Sequence, residues 1–575
     1  MNRLRTIWTV CLFMLILLGS ARAAEQSSAK KPAPKLTGGA TLPLEAVEAE
    51  KHGNTVSAAR LYAKAAHTYS KDNQPIEALR MIERAVRLQP NNLKYLNDRA
   101  QLANWNKKTA LAVDSYRRML ALSDNRPDIL LNLARTQSWM GDLDESVNDY
   151  NRYLETPAGE NGDVLLEVAQ VEAWRGNYTK SLDLMEEYRG KLGNTLEYRK
   201  LKARVFAWAD RPATATDILQ PMLQGSPNDY DLNYTNTLVL YNGNRPREAR
   251  ASLDRLHEIN PASKDTEALD VALGDIHGAK IGSGANFYFD SDDITVLHVP
   301  VRGSVAIQPE TQLEIVGAWH RLTASAGSGF ERTDGAESAV HFDGRLGVRH
   351  RFSPWLGSRV HAGGALSDEE HKFPTYDAGL EFRPVDNLRF DLSRDYGYIV
   401  VSPRASSLGI RRGTNQLNLN WEPSLQWTIP VQSSLNDSSD DNWNWQAMIG
   451  PRRSILRTEH VNLDLGARGS WFGYQDRLTN GYYAPELYQS YMATALFYFK
   501  IDPRNGVGLN GGLGVVKDDT IENFKIGGEA SAAGYFALGR GWLFQPRVGF
   551  MENMRQATGA FRAISLEGFL TYSFD

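Results

Sequence analysis

Cysteine is nearly absent. The one residue of its kind among 575 is Cys11, and it lies inside the one long apolar run, Ile7 to Leu18. No disulfide framework is available to this chain, so its domains have to be held by packing and backbone hydrogen bonding alone. An excess of charge is missing as well: 64 Lys and Arg stand against 68 Asp and Glu. A balance of this kind lacks the clustered basic surface that nucleic-acid binding requires. Catalytic signatures are missing too. The sequence has no G-x-x-x-x-G-K-[ST] phosphate loop, no G-x-S-x-G elbow and no H-E-x-x-H pair. His341, His350, His361 and His371 do not have metal-ligand spacing, and the run Asp368-Glu369-Glu370 reads as a solvated loop. No enzyme activity, cofactor or metal is expected.

The apolar run follows Arg3 and Arg5 and precedes Ala21-Arg22-Ala23. A charged segment, an apolar segment and an A-x-A site in that order predict a secretory signal over residues 1–23, cut between Ala23 and Ala24. The run falls short of the roughly 20 residues that a bilayer-spanning helix needs. Residues 24–41, rich in Lys, Pro, Ser and Gly, have too little apolar surface to fold and read as a flexible leader.

Residues 42–272 contain an internal repeat. A small residue, a large one four positions on and another three further recur at Ala78, Ile82, Ala85; Ala112, Tyr116, Met119; and Ser146, Tyr150, Tyr153. The frame continues at Ser181, Met185, Tyr188; Ala215, Leu219, Met222; and Ala249, Leu253, Leu256. The step of about 34 residues is the tetratricopeptide period, and about six units in phase predict an all-α superhelix whose hairpins bury their apolar faces on one another. A second in-phase mark is Trp105, Trp139, Trp174 and Trp208, each near the end of a first helix. A row of indoles in that place suits either contact with a ligand in the groove or plain packing on the adjacent hairpin.

Over residues 276–575 the periodicity changes to two. Ile564, Leu566, Leu570 and Phe574 alternate with Ser565, Glu567, Thr571 and Ser573, and similar alternation recurs in about 16 segments. Each segment approaches the 9–11 residues of a tilted membrane strand, which predicts an antiparallel transmembrane β-barrel of about 16 strands in an outer membrane, with the helical repeats in the periplasm. A barrel of that size encloses a polar lumen. The polar parity supplies its candidate wall: Arg302, Asp343, Arg345, Arg349, Arg383, Arg389, Asp391, Asp464, Arg468, Arg547 and Glu567. Both signs occur, so the wall reads as a mixed polar surface; each member is equally open to a purely structural ion pair.

Two short segments carry a likeness to a known group: Ser439-Asp440-Asp441-Asn442, and Asn480-Gly481-Tyr482-Tyr483-Ala484-Pro485-Glu486. With the order signal, repeats, barrel, they make the chain resemble the outer-membrane exporters of bacterial exopolysaccharides, of the cellulose-export subunit and poly-N-acetylglucosamine porin type. The resemblance implies an export conduit whose repeats bind a polysaccharide or a periplasmic or inner-membrane synthase or modifying protein. An envelope scaffold, or a phage or surface receptor anchored by its barrel, is the alternative.

Overall fold

The structure, a computed structural model, describes residues 41–574 other than 125, 262, 503 and 556–558. The expected signal segment, its Ala23–Ala24 cut and the leader up to residue 40 lie outside the described residues. The chain divides into two compact units, 1–123 and 124–575.

In the first unit the helices are α1 (Thr41–Lys51), α2 (Thr55–Lys71), α3 (Pro75–Leu88), α4 (Leu93–Trp105) and α5 (Thr109–Leu122). The second unit opens with α6 (Pro127–Met140), α7 (Leu143–Leu154), α8 (Leu165–Arg175), α9 (Tyr178–Leu192) and α10 (Leu196–Trp208). It continues with α11 (Pro212–Gly225), α12 (Tyr230–Asn242), α13 (Pro246–Ile259) and α14 (Lys264–His277). Every residue of the six-fold frame is buried. The frame works because its small member lets the two helices of a hairpin approach, while the large members fill the space toward the next hairpin. Where the small member is serine its hydroxyl is satisfied across the hairpin: Ser146 donates to the Ala134 carbonyl at 2.8 Å and Ser181 to that of Ala169 at 2.7 Å. Leu219 has no exposed surface; cutting a buried leucine back to alanine removes about 2–5 kcal/mol of stability.

The rest of the second unit is one closed sheet. Its strands are β1 (Lys280–Asp290), β2 (Thr295–Gln308), β3 (Thr311–Thr323), β4 (Ser338–Ser353), β5 (Leu356–Ser367), β6 (Lys372–Val385), β7 (Leu388–Tyr398), β8 (Arg411–Ser424) and β9 (Trp427–Ser438). Then follow β10 (Trp443–Ile449), β11 (Arg452–Arg457), β12 (Val461–Tyr474), β13 (Tyr488–Asp502), β14 (Asn505–Asp518), β15 (Lys525–Gly539), β16 (Trp542–Arg555) and β17 (Gly559–Ser573). All neighbours are antiparallel, and β1 pairs with both β2 and β17, which closes the barrel. β10 and β11 both lie between β9 and β12. They form one stave interrupted at Gly450-Pro451, where proline has no N–H for the ladder, so the seventeen segments make a barrel of sixteen staves. At Gly363 a Cβ would fall 1.8 Å from the Gly344 carbonyl oxygen, which explains glycine in mid-strand.

One parity of the barrel leaves large apolar side chains uncovered: Leu346, Val360, Leu513 and Ile526 are all exposed, the last to 78%. An apolar outer face of this extent is what a lipid-embedded barrel presents. No described helix is long and apolar enough to cross a membrane. One rim carries short turns, such as 309–310, 386–387 and 458–460. The other carries long loops, and in one of them lies the short helix α15 (Pro403–Ser407).

Candidate functional site

The repeats of the second unit meet the short-turn rim of the barrel. Each repeat consists of a first and a second helix, and their N-termini are capped differently. Among the first helices α2, α4, α10, α12 and α14 take a side-chain cap from Asn54, Asn92, Thr195, Asp229 and Ser263. The second helices α3, α5, α7, α9, α11 and α13 have no such cap from their own N-cap residue. For two of them a barrel turn supplies the missing acceptor. Asp386 accepts from the Ala213 and Thr214 backbone N–H groups at 2.9 and 2.8 Å, at the start of α11. Glu459 accepts from the Leu143 N–H at 2.7 Å, at the start of α7, while its own N–H donates to Asp144 at 3.0 Å. Carboxylates at helix N-termini satisfy orphan donors and meet the positive end of the dipole.

Ion pairs reinforce the same rim. Arg211 donates to Glu422 at 2.6 Å, Arg247 pairs with Glu310 at 2.8 Å, and Lys500 Nζ reaches the Arg175 carbonyl at 3.2 Å. Asp210 receives Arg383 at 3.0 Å and also pairs with Arg389. Tyr178, at the start of α9, lies near Arg457; burial raises its phenol pKa, with Arg457 acting against the rise.

First helices end where second helices begin, so Trp139, Trp174 and Trp208 stand at this rim-facing edge. Trp174 precedes Arg175, whose carbonyl binds Lys500. Trp139 is 67% exposed and Trp174 is 41% exposed. Trp208 is half-buried, packed partly on the core around Met185 and Val205, and it also faces a cavity of about 910 Å³ at the barrel mouth. Tyr241, Asp210, Arg389, Asn418, Asn420 and Gln432 line the same cavity. Trp105 belongs to the first unit, where it closes α4 and is exposed.

The eleven wall residues named from sequence all lie on the parity opposite the exposed apolar one. Arg302, Arg345, Arg349, Arg547 and Glu567 line one lumen cavity of about 890 Å³, together with His298 and His361. Many of the charges in the lumen neutralise one another. Arg349 bridges Glu314 at 3.1 Å and Glu381 at 2.5 Å, Arg359 holds Asp391 at 2.6 Å, and Arg345 pairs with Asp395. Arg468 binds Glu529 at 2.6 Å, and Asp464 binds Arg457 at 2.5 Å. Asp343 Oδ1 accepts from His320 Nε2 at 3.1 Å. Arg302 and Arg547 have no carboxylate within 4 Å among the described residues; Arg302 lies over the Phe569 ring, 5.6 Å from its centre. Arg383 and Arg389 belong to the rim junction described above.

The histidines are distributed among these contacts. His361 lies between Glu314 and Asp377, 2.9 Å from each. His350 meets the Thr311 hydroxyl at 2.9 Å, His341 meets Ser406 of α15, and His371 is 3.9 Å from Glu369. Among the described residues no group of three or more His, Cys, Asp or Glu side chains is arranged to hold a metal. The acidic run 368–370 is tied down by Arg332, 2.6 Å from Glu369 and 3.6 Å from Asp368. Burial raises the Glu369 pKa despite that arginine.

On the loop rim the two short motifs meet. Asp440 accepts from Asn480 at 2.9 Å and from the Tyr482 hydroxyl at 2.7 Å, and Asn442 donates to Tyr482 at 3.2 Å. Tyr482 and Ala484 also pack with Ile399, Ala405 and Ile410 around α15. Sequence reasoning missed Asp210, Asp386, Glu459, Tyr241, Gln432 and Gln446. Tyr241 is one position short of the tryptophan period, and the acids are ordinary turn residues until the rim is seen.

Residues 59–92 match the tetratricopeptide repeat model. No curated protein matches the chain. Among solved structures the chain is similar to a bacterial polysaccharide outer membrane secretin, at 10% identity and a TM-score of 0.44, over 52% of this chain and 99% of that one. It is similar also to a tetratricopeptide repeat protein from Parabacteroides merdae, at 16% identity and a TM-score of 0.34, over 37% of this chain and 85% of that one. A third is PilW, a type IV pilus biogenesis factor, at 16% identity and a TM-score of 0.31, over 37% of this chain and 97% of that one.

Proposed function

We propose that this chain is an outer-membrane export conduit for an exopolysaccharide, with its helical repeats on the periplasmic side. The observation that carries the reading is the cavity at the barrel mouth, where Trp208 and Tyr241 stand beside the amides Asn418, Asn420 and Gln432. An aromatic face stacks on a sugar ring and an amide both donates to and accepts from its hydroxyls, so this combination suits a polysaccharide more than an inorganic ion. The exposed Trp139 and Trp174 extend the same edge of the array and would receive the chain first. Barrel residues Asp386 and Glu459 fix the repeats over the mouth, so capture and entry are held in one geometry. Work for transport would come from the synthase that lengthens the polymer, since the sequence carries no phosphate-binding loop.

The test combines cells and bilayers. Deleting the gene should trap polysaccharide in the periplasm, and the purified full chain should pass current in a planar bilayer. Changing Trp139 and Trp174 to alanine should weaken oligosaccharide binding more than it lowers the helical melting temperature. A barrel that passes no current in a strain that still exports normally would overturn the reading.

A further inference from the structure

Charge is not spread evenly around the lumen. On the three adjacent staves β8, β9 and β10 the inward positions between the levels of Arg412 and Glu422 form rows: Thr414, Asn436 and Asn444; then Gln416, Ser434 and Gln446; then Asn418, Gln432 and Met448. None of these nine side chains carries a charge. The stave on one side, β7, is different: its inward Asp391 and Asp395 are each held by an arginine. On the other side, β12 brings Phe472 next to Gln446 in register, and Phe472 stacks on Tyr488 with ring centres 4.8 Å apart. Gln432 and Gln446 are exposed to the lumen and make no side-chain hydrogen bond among the described residues. Gln416 and Asn436, by contrast, are engaged with Asn418 at 3.1 Å and Ser434 at 3.2 Å. Gln432 also lines both the mouth cavity and a second lumen cavity of about 460 Å³ that holds Gln446, Phe472 and Tyr488.

We infer that β8, β9 and β10 form a hydrogen-bonding track, with Gln432 and Gln446 as its free contacts, that carries an uncharged polyhydroxylated chain from the mouth cavity into the lumen. This inference rests on the conduit reading and adds the cargo class to it. Neutral amides exchange hydrogen bonds with sugar hydroxyls at little net cost, so a chain can slide from one row to the next. An anionic polymer would instead be drawn to the unpaired Arg302 and Arg547 across the lumen and held there. The paired ladder on β3 to β7 then acts as a stiff, locally neutral wall beside the track.

The experiment measures single-channel current through the full chain in a planar bilayer, with maltoheptaose as the neutral probe and oligogalacturonate of the same length as the anionic one. Maltoheptaose should interrupt the current through its contacts on the track, and oligogalacturonate through Arg302 and Arg547. The double variant Q432A/Q446A should shorten the maltoheptaose interruptions by about tenfold, as loss of two hydrogen bonds implies. The control N510A/S531A, on β14 and β15, should leave them unchanged, and heat-modifiable migration on gels should show both variants folded. Current without interruption by maltoheptaose, equal maltoheptaose interruption in Q432A/Q446A, or oligogalacturonate interruptions shortened by Q432A/Q446A as much as the maltoheptaose ones would each overturn the track while leaving the conduit standing. Absence of any current would remove both.

Discussion

Glu186 shows how one surface acid contributes to the repeats. Its carboxylate receives the Tyr198 hydroxyl at 2.7 Å and Lys202 Nζ at 2.9 Å, and it pairs with Arg189 at 2.5 Å. The Tyr198 hydrogen bond first, and then that from Lys202, hold its pKa below the ordinary carboxylate value. A depressed carboxyl favours the folded state above the unfolded-state pKa and loses that contribution as pH falls through the folded one. The substitution Glu186→Gln should therefore destabilise the helices at pH 7, by no more than about 1 kcal/mol for a partly exposed group. The gap from wild type should close as pH drops below about 4. Melting curves followed by circular dichroism at 222 nm check this; a gap that does not narrow as the pH falls would show that the effect is not electrostatic.

At the level of elements, the helix caps separate what the repeats supply from what the barrel supplies. Thr195 caps α10 from within, accepting from the Tyr198 N–H at 3.2 Å, whereas α11 depends on Asp386 and α7 on Glu459 for the same service. Replacing Asp386 or Glu459 by alanine should cost about 1 kcal/mol each, the usual range for a lost cap. Hydrogen exchange should quicken at Ala213 and Thr214, or at Leu143, with the barrel's heat-modifiable migration unchanged. If exchange at those amides stays at the wild-type rate, the turns do not cap the helices. These elements also mark how far the sequence could be read. The buried frame from Ala78 to Leu256 and the alternating strands were legible because each follows from a local period of 3.6 or 2. The caps were not, because Asp386 and Ala213 are far apart in the chain and nothing local distinguishes a turn aspartate that will meet a helix. Wall residues such as Arg349 and Asp391 could be assigned to a face, but their partners depend on which staves are neighbours. The uncharged rows from Thr414 to Met448 emerge only when the three staves are laid side by side.

For the whole molecule, the same junction predicts unequal stability along the helical array. Tetratricopeptide hairpins gain stability mainly from their nearest neighbours, yet α7, α11 and α13 gain more from Glu459, Asp386 and Glu310 respectively. The first unit, α1 to α5, has its own buried core, with Tyr62, Ile82 and Leu96 fully enclosed. The helical signal of the full chain should therefore melt in two steps, the lower one from the first unit. Removing residues 41–123 should abolish the lower step, while the upper step and the barrel's gel migration remain. Raising the salt concentration should lower the upper step more than the lower one, since ion pairs such as Arg211–Glu422 and Arg247–Glu310 belong to the second unit and salt weakens them. A single transition that shifts as a whole when residues 41–123 are removed would mean that the array melts as one body and that the rim contributes nothing of its own.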